Sequence, residues 1–519
     1  MLVNTISAKC IGLDAVPVIV EVDVVQGIGI HLVGLADTAV KESLLRTITA
    51  LQARGYKIPG RKIVINLAPA DLHKSGSGYD LPIALGIIAA SGQAEFRSLE
   101  DYMIMGELGL DGTVRDITGA LPVADLARER GMKGCIFPIE SALEAADFRD
   151  IDIYGVETLE DVVRILMDPE ACGDLLVWNT RIWKEGGRTN CSCEDIDIPD
   201  FADIIGQEGA KRGMEIAAAG GHNIIMMGPP GSGKSSLAKA LPGILPPMTH
   251  DESLLTSKIY SVAGMHGKGS GLVTTRPFRT PHYSASLPAI VGGGAGDSII
   301  PGEVTLAHGG VLFLDEFNQM PKSVIESLRG PLEDRKVTVS RLRSKIEYPA
   351  SFMLVAASNP CPCGYYGEGD RCVCTPAQRI GYLSKLSGPI LDRIDLHIWI
   401  HPLASQCMLE RRKGEPSSVV AERVAKARDI QCRRFAGEKI FTNAEMNSKQ
   451  IEKYCPLSPE SSLALEKIVV RGQLSMRAFH RIIRVARTIA DLEGAEHIKP
   501  MHIMEAAGYR FLDKLDLGL

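Results

Sequence analysis

The row Gly228-Pro229-Pro230-Gly231-Ser232-Gly233-Lys234-Ser235, continued by Ser236, holds the residues best suited to chemistry. The apolar run Asn223–Met227 precedes it and a helical pattern follows. Glycines at 228, 231 and 233 allow a backbone to curl until its amides converge on phosphate oxygens. A lysine at 234 would neutralise β- and γ-phosphates, and the hydroxyl of Ser235 would ligate Mg2+. About 80 residues downstream, the apolar run Leu312–Leu314 ends in Asp315-Glu316. Adjacent acids after an apolar strand often mark a solvated turn. Paired with a phosphate loop they read differently: Asp315 holds the hydration shell of the metal, and Glu316 polarises an attacking water as general base. The chemistry expected is ATP hydrolysis.

Three more residues fit around that reaction. A second apolar strand, Phe352–Ala357, ends at Ser358-Asn359, where the amide of Asn359 could reach the γ-phosphate and orient the water. An asparagine at a strand end is otherwise a common turn former. Arg393, in Gly388-Pro-Ile-Leu-Asp-Arg393-Ile-Asp, is placed to act as an arginine finger toward a neighbouring subunit, and Arg477, in Leu474-Ser-Met-Arg477, opens a helix. Either arginine could instead be a surface or capping residue.

Three further segments invite a site. Cys361-x-Cys363 and Cys372-x-Cys374 place four thiols within fourteen residues of a polar, glycine- and tyrosine-containing turn. Such a set could close around tetrahedral Zn2+, although C-x-C is tighter than the usual spacing; free thiols and a redox pair are the alternatives. Cys191-x-Cys193 has no matching partners and stays unassigned. The runs Arg276–Tyr283 and Lys336–Lys345 read as two hairpins mixing cations with aromatic or β-branched residues. Arg276, Arg279, Arg341 and Arg343 would contact phosphates of single-stranded or branched DNA, with Phe278 or Tyr283 stacking on bases. Solvated turns and intersubunit salt bridges are the competing readings.

The elements that must position these residues fall into three regions. Residues 1–168 alternate strand and helix signals: alternation at Val18, Val20, Val22 and Val24, a helical stretch Asp37–Arg54, an apolar strand Lys62–Ala68, then Met103–Met105, Leu121–Arg130 and Gly134–Pro138. Residues 169–199 break the rhythm with two of the three tryptophans, Gly186-Gly187 and a polar run, and read as a linker. Residues 200–402 carry the βαβ pattern of a nucleotide-binding α/β domain, and residues 403–519 are helical by period, for example Ser417–Arg434 and Met476–Glu493. A length of 519 residues exceeds what one compact core accommodates. Hydrophobic content of 45% and charged content of 23% describe an ordinary globular chain, packed mainly by aliphatics because aromatics make up only 5%. The net charge of −6 excludes a uniformly basic surface but leaves room for a basic pore. No apolar run approaches the roughly 20 residues that cross a bilayer, and no secretory leader is evident. The cytoplasm is the expected location, with no membrane partner, and the twelve cysteines are expected as thiols or metal ligands.

The order phosphate loop, acidic pair, asparagine, arginine and second arginine resembles an AAA+ ATPase. Gly302-Glu-Val-Thr-Leu-Ala-His308-Gly-Gly-Val-Leu-Phe-Leu-Asp-Glu316 and Asn359-Pro-Cys-Pro-Cys-Gly364 resemble the magnesium-chelatase branch, and nearly the whole chain resembles the ComM/YifB family. That resemblance implies a homohexameric ring using ATP and Mg2+, a helical lid at 403–519, and helicase activity promoting branch migration of recombination intermediates during natural transformation. It also implies that Ile205 and Gly206, within Ile204-Ile205-Gly206-Gln207, hold the adenine. The N-terminal region resembles the Lon-protease catalytic fold, of the ribosomal S5 domain 2 type. The position of its nucleophile falls at Gly78 and that of its lysine at Leu121, with Ser75 and Ser77 nearby. A Ser–Lys dyad needs a hydroxyl and an amine, so no proteolysis is expected. A metal-insertion motor of the chelatase type and a protein-remodelling ATPase are the rival readings.

Overall fold

The computed structural model describes the chain except residues 36, 75, 181–182, 184–197, 267–270, 295–298, 341–344, 403–413, 511 and 513–519, and the side chains of residues 38, 39, 41 and 370. Arg341 and Arg343, Ser75, and the pair Cys191 and Cys193 therefore lie outside the described residues. Three regions follow one another: a mixed α/β unit, a parallel α/β unit and a set of helices.

In the first unit the expected alternation builds β1 (Val3–Ile11), β2 (Asp14–Val25), β3 (Ile30–Val33), β4 (Lys62–Ala68) and β5 (Tyr102–Ile104). A small ribbon, β6 (Glu107–Leu108) with β7 (Val114–Arg115), precedes β8 (Gly134–Pro138) and β9 (Asp152–Val156). Among the described residues, seven strands form one sheet in the order β3-β4-β2-β1-β5-β8-β9. β2 lies antiparallel between β1 and β4, in the registers Val3↔Val22 and Ile19↔Ala68, while β1, β5, β8 and β9 run parallel. The alternation at Val18, Val20 and Val22 does what a period of two demands: all three are fully buried. Helix Thr38–Ala53 starts where Asp37 accepts a hydrogen bond from the Val40 N–H, an N-cap. The stretch expected to be a linker departs from that reading at its start. Residues 170–179 make two 3₁₀ turns whose Cys172 and Val177 are buried in the first unit's cores, and the Tyr154 hydroxyl donates to the Pro169 carbonyl.

The second unit contains β10 (Ile224–Met227), β11 (Phe278–Arg279), β12 (Val311–Leu314), β13 (Lys336–Ser340), β14 (Lys345–Pro349), β15 (Met353–Ser358) and β16 (Leu396–Trp399). Five of them form a parallel sheet ordered β11-β12-β15-β10-β16. Its central strands are buried on both faces, which is why they read as continuous apolar runs rather than alternating ones. Helix Ala120–Glu129 of the first unit packs on helix His250–Val262 of the second. Lys258 pairs with Asp125, and the Ser261 hydroxyl donates to Glu144 Oε2 at 2.5 Å.

The C-terminal helices share one core with the parallel unit: Ile224 and Met226 sit in the same cluster as Val424, Ile482 and Ile489. A buried carboxylate ties these helices together. Asp491, fully buried, accepts hydrogen bonds from Arg434, from Arg487 at 3.1 Å and from the Asn443 amide at 2.8 Å. Asp491→Ala is expected to cost about 3–5 kcal/mol, because it strands two guanidiniums in the interior. An unchanged denaturation midpoint would show the network to be dispensable.

Candidate nucleotide site

All the strands of the parallel sheet point their carboxyl ends the same way, and the crevice outside those ends is where such sheets bind ligands. The phosphate loop follows β10, Asp315-Glu316 follows β12, and Asn359 follows β15, so three separate strands deliver their tips to one edge. Gly231 and Gly233 take φ of +74° and +93°, giving the loop its curl. Gly228 is required for a different reason: a Cβ there would lie 2.4 Å from the Ile400 carbonyl oxygen.

Inside the curl, Lys234 Nζ donates to the carbonyls of Gly228 at 2.7 Å and Pro229 at 2.8 Å, and lies 3.3 Å from Asn359 Oδ1. Burial pulls its ammonium below the ordinary lysine range, a shift that Asp315 opposes. The Ser235 hydroxyl donates to Asp315 Oδ2 at 2.7 Å. The two residues expected to serve one metal thus touch each other, and both can turn toward a cation between them. Glu316 has φ +49°, a left-handed conformation costing roughly 1–3 kcal/mol for a non-glycine residue. Its own N–H donates to Asp315 Oδ1 at 2.8 Å and its carbonyl accepts from the Gln319 N–H at 2.7 Å. The left-handed turn at Glu316 breaks the extended backbone of the strand directly after Asp315.

The turn Ile205-Gly206-Gln207 is tied to the same edge. Gln207, itself at φ +59°, donates through Nε2 to the His401 carbonyl at 2.6 Å, just past β16, and toward the Ser232 carbonyl at 3.4 Å. Ile204 packs on the core and Ile205 is half-buried, which leaves an apolar rim beside the phosphate loop.

The two arginines lie elsewhere. Arg393 precedes the amino end of β16, and β16 runs parallel to β10. It therefore sits at the opposite end of the sheet from the phosphate loop, a strand length of about 13 Å away. Its guanidinium donates to the carbonyls of Arg329 and Pro389 and pairs with Glu333. Arg393 and Arg477 line one cavity of about 370 Å3 with Arg335, Arg481 and Arg484. Five arginines face three carboxylates there, and the buried Nε atoms of Arg481 and Arg484 have no hydrogen-bond partner. Burial lowers Arg393, and neighbouring Arg477, Arg329 and Arg481 push it the same way.

One expectation is corrected. Residues 276–283 form no hairpin. Phe278-Arg279 is the edge strand β11, paired parallel with β12, and Phe278 is buried against Phe313. Arg276 pairs with Glu252 at 2.9 Å and donates to the carbonyls of Pro246 and Gly309, while Arg279 pairs with Glu303 at 2.7 Å. Both guanidiniums are engaged within the chain. The second hairpin does form: β13 and β14 pair antiparallel from Lys336↔Pro349 to Ser340↔Lys345.

The sequence reading missed Asn318. It is fully buried two residues after Glu316, and neither its amide nitrogen nor its oxygen has a partner among the described residues. Buried amides are nearly always satisfied, so this one stands out beside the acidic pair. The signal lay in the string Asp-Glu-x-Asn.

Three family models cover the chain: "Magnesium chelatase, subunit ChlI" matches residues 200–408, "Subunit ChlI of Mg-chelatase" residues 20–141, and "Magnesium chelatase, subunit ChlI C-terminal" residues 414–510. The competence protein ComM of Haemophilus influenzae is 43% identical over 512 residues, covering 98% of this chain and 97% of that protein. A Salmonella typhimurium protein bearing the name YifB is 42% identical over 516 residues, with the same coverage of 98% and 97%. The chain belongs to the ComM/YifB family of magnesium-chelatase-like proteins. Membership in this AAA+ branch implies ATPase activity with ATP and Mg2+. The magnesium-chelatase 38 kDa subunit of Rhodobacter capsulatus is a more distant relative, 24% identical over 330 residues, 59% of this ComM/YifB chain and 85% of that subunit. No helix among the described residues is long and apolar enough to cross a membrane.

Proposed function

We propose that this ComM/YifB protein is an ATP-driven motor that works on single-stranded or branched DNA as a homohexameric ring, promoting branch migration in recombination and natural transformation. The observation that carries the reading is the split of the hydrolytic apparatus between the two ends of one sheet. Residues 228–236, with Ile205 and Gly206, bind the nucleotide; Ser235 and Asp315 hold Mg2+; Glu316 activates water and Asn359 orients it. Arg393 and Arg477 stand at the far end in a cavity lined by five arginines, of which Arg393, Arg335 and Arg481 pair with Glu333, Glu445 and Asp395, a cationic site that suits a phosphate presented by another copy of the chain. A motor whose sites are completed by neighbours must assemble to work, and closed rings are the symmetric solution. The cytoplasm is its place of action.

DNA contact is assigned to the β13–β14 hairpin. Lys336, Ser340 and Lys345 are exposed on it; Arg341 and Arg343, which fall between its two strands in the sequence, lie outside the described residues. The competence name of the Haemophilus relative supports the same direction. The first unit serves as a Lon-like scaffold (residues 1–168) and the C-terminal helices as the lid. Gly78 packs beside Met105 and Ile117, and Leu121 is fully buried, an apolar filling where the protease carries its dyad. The chelatase relative keeps a second reading in view, a remodelling motor without DNA translocation.

Turnover decides between them. ATP hydrolysis is expected to rise with forked or single-stranded DNA, and the rise to fade between about 50 and 200 mM salt as phosphate contacts are screened. Stimulation by a protein client and not by DNA would replace the motor with a remodeller. Arg393→Ala is expected to leave nucleotide affinity near wild type and to slow turnover about 100-fold. Mixed with Lys234→Ala protomers it should recover part of the lost turnover, since some interfaces then pair an intact phosphate loop with an intact arginine. Absence of any recovery would remove the trans assignment.

A further inference from the structure

The segment between Asn359 and helix Pro376–Leu383 has little to hold it in place. From Pro360 to Thr375 the only apolar side chains that are buried are those of Pro360 and Cys361, and Val373 is 82% exposed. None belongs to any of the apolar clusters among the described residues. Yet the segment folds into a tight knuckle. The Gly364 N–H donates to the Cys361 carbonyl at 3.0 Å, Arg371 stacks over Tyr365 at 4.3 Å and Arg379 over Tyr366 at 4.5 Å.

At its centre the sulfurs of Cys361, Cys363, Cys372 and Cys374 all lie within 4.8 Å of one another. Individual separations are 3.3 Å for Cys361–Cys363, 3.8 Å for Cys361–Cys372 and 3.7 Å for Cys363–Cys372. A tetrahedron with Zn–S bonds of about 2.3 Å has edges of about 3.8 Å. A disulfide would need about 2.05 Å. Backbone N–H groups of Gly364 and Tyr366 face Cys361 Sγ, and those of Tyr365 and Val373 face Cys363 Sγ, a second shell suited to thiolates.

The knuckle touches the nucleotide site directly. A Cβ on Gly364 would lie 2.7 Å from Pro230 Cδ in the phosphate loop and 3.9 Å from Asn359 Cγ. Asn359, which meets Lys234, stands two residues before Cys361. Thr375, directly after Cys374, caps helix Pro376–Leu383, whose Tyr382 returns to hydrogen-bond Ser358 at the end of β15. We infer that the four cysteines bind one Zn2+ and that this ion holds the Asn359–Gly364 wall against the phosphate loop, so that metal loading controls the geometry of hydrolysis. The inference deepens the ATPase reading, since the wall belongs to the same site.

The test reads metal and turnover separately. The purified full chain is expected to carry one zinc per chain by elemental analysis. Exchange for Co2+ should give the thiolate charge-transfer and visible bands of tetrahedral S4 cobalt. Cys372→Ser/Cys374→Ser, and wild type stripped with a chelator, should lose the metal and slow hydrolysis about 10- to 100-fold, with nucleotide affinity changing far less. Adding Zn2+ back should restore the stripped protein. Lys234→Ala should keep the full metal content and cobalt spectrum, so loss of the ATPase reading would leave the metal result standing. Cys432→Ser, at an exposed thiol elsewhere, should change neither readout. A native sample without stoichiometric metal would overturn the inference, as would stripped protein hydrolysing ATP at the native rate.

Discussion

Lys234→Ala is expected to remove nucleotide binding, with affinity for ATP falling about 1,000-fold and hydrolysis falling below detection. The ammonium is buried in the curl of the phosphate loop, where it spends two donors on the Gly228 and Pro229 carbonyls and meets the Asn359 amide. Its charge is already disfavoured there by burial, which Asp315 offsets only in part, so the incoming triphosphate adds counter-charge. Losing one partner of such a desolvated pair costs about 2–5 kcal/mol, which is the size of the expected loss. Alanine also frees the two carbonyls that shape the loop, so the amides no longer converge. Equilibrium titration with a fluorescent ATP analogue checks this. Binding at wild-type strength would mean that the loop amides alone grip the phosphates.

The phosphate loop and the acidic pair were legible because their information is local. A buried strand, a glycine-rich turn and a helix follow one another within a few residues, and the structure reproduces that order at 224–240. Strand β4 and helix Ser417–Arg434 likewise fall on the residues expected from their patterns. The hairpin expected around Arg276 and Arg279 was misread for the converse reason. Their string of cations, prolines and aromatics looks solvated until Glu252 and Glu303, each 24 residues away, supply the counter-charges. Only the pairing of Phe278 with Val311 reveals an edge strand, and nothing in the local pattern of two residues could signal it. The beginning of the stretch read as a linker failed similarly, because Cys172 and Val177 find their cores through tertiary contacts that composition does not encode. The opposed placement of Arg393 and the phosphate loop is a matter of strand direction. It became visible only once β10 and β16 were seen to run parallel.

Glu316→Gln should separate binding from chemistry. The amide keeps the size of the side chain and leaves Ser235, Asp315 and Lys234 undisturbed, so ATP and Mg2+ should bind with affinity near wild type. What it removes is the group able to take a proton from the attacking water. General bases contribute about 100- to 10,000-fold, and the expected fall in turnover is about 1,000-fold. The backbone makes this residue hard to replace by a neighbour: the left-handed turn at Glu316 and the hydrogen bond from its N–H to Asp315 fix where its side chain begins. Asp315 itself already accepts hydrogen bonds from the Ser235 hydroxyl and the Glu316 N–H and is assigned to the metal, not to the water. Single-turnover hydrolysis in preassembled, ATP-loaded protein isolates the step from assembly. A rate matching wild type would place the base elsewhere. In that event the orphaned Asn318 amide, buried two residues on, becomes the next group whose partner must be found.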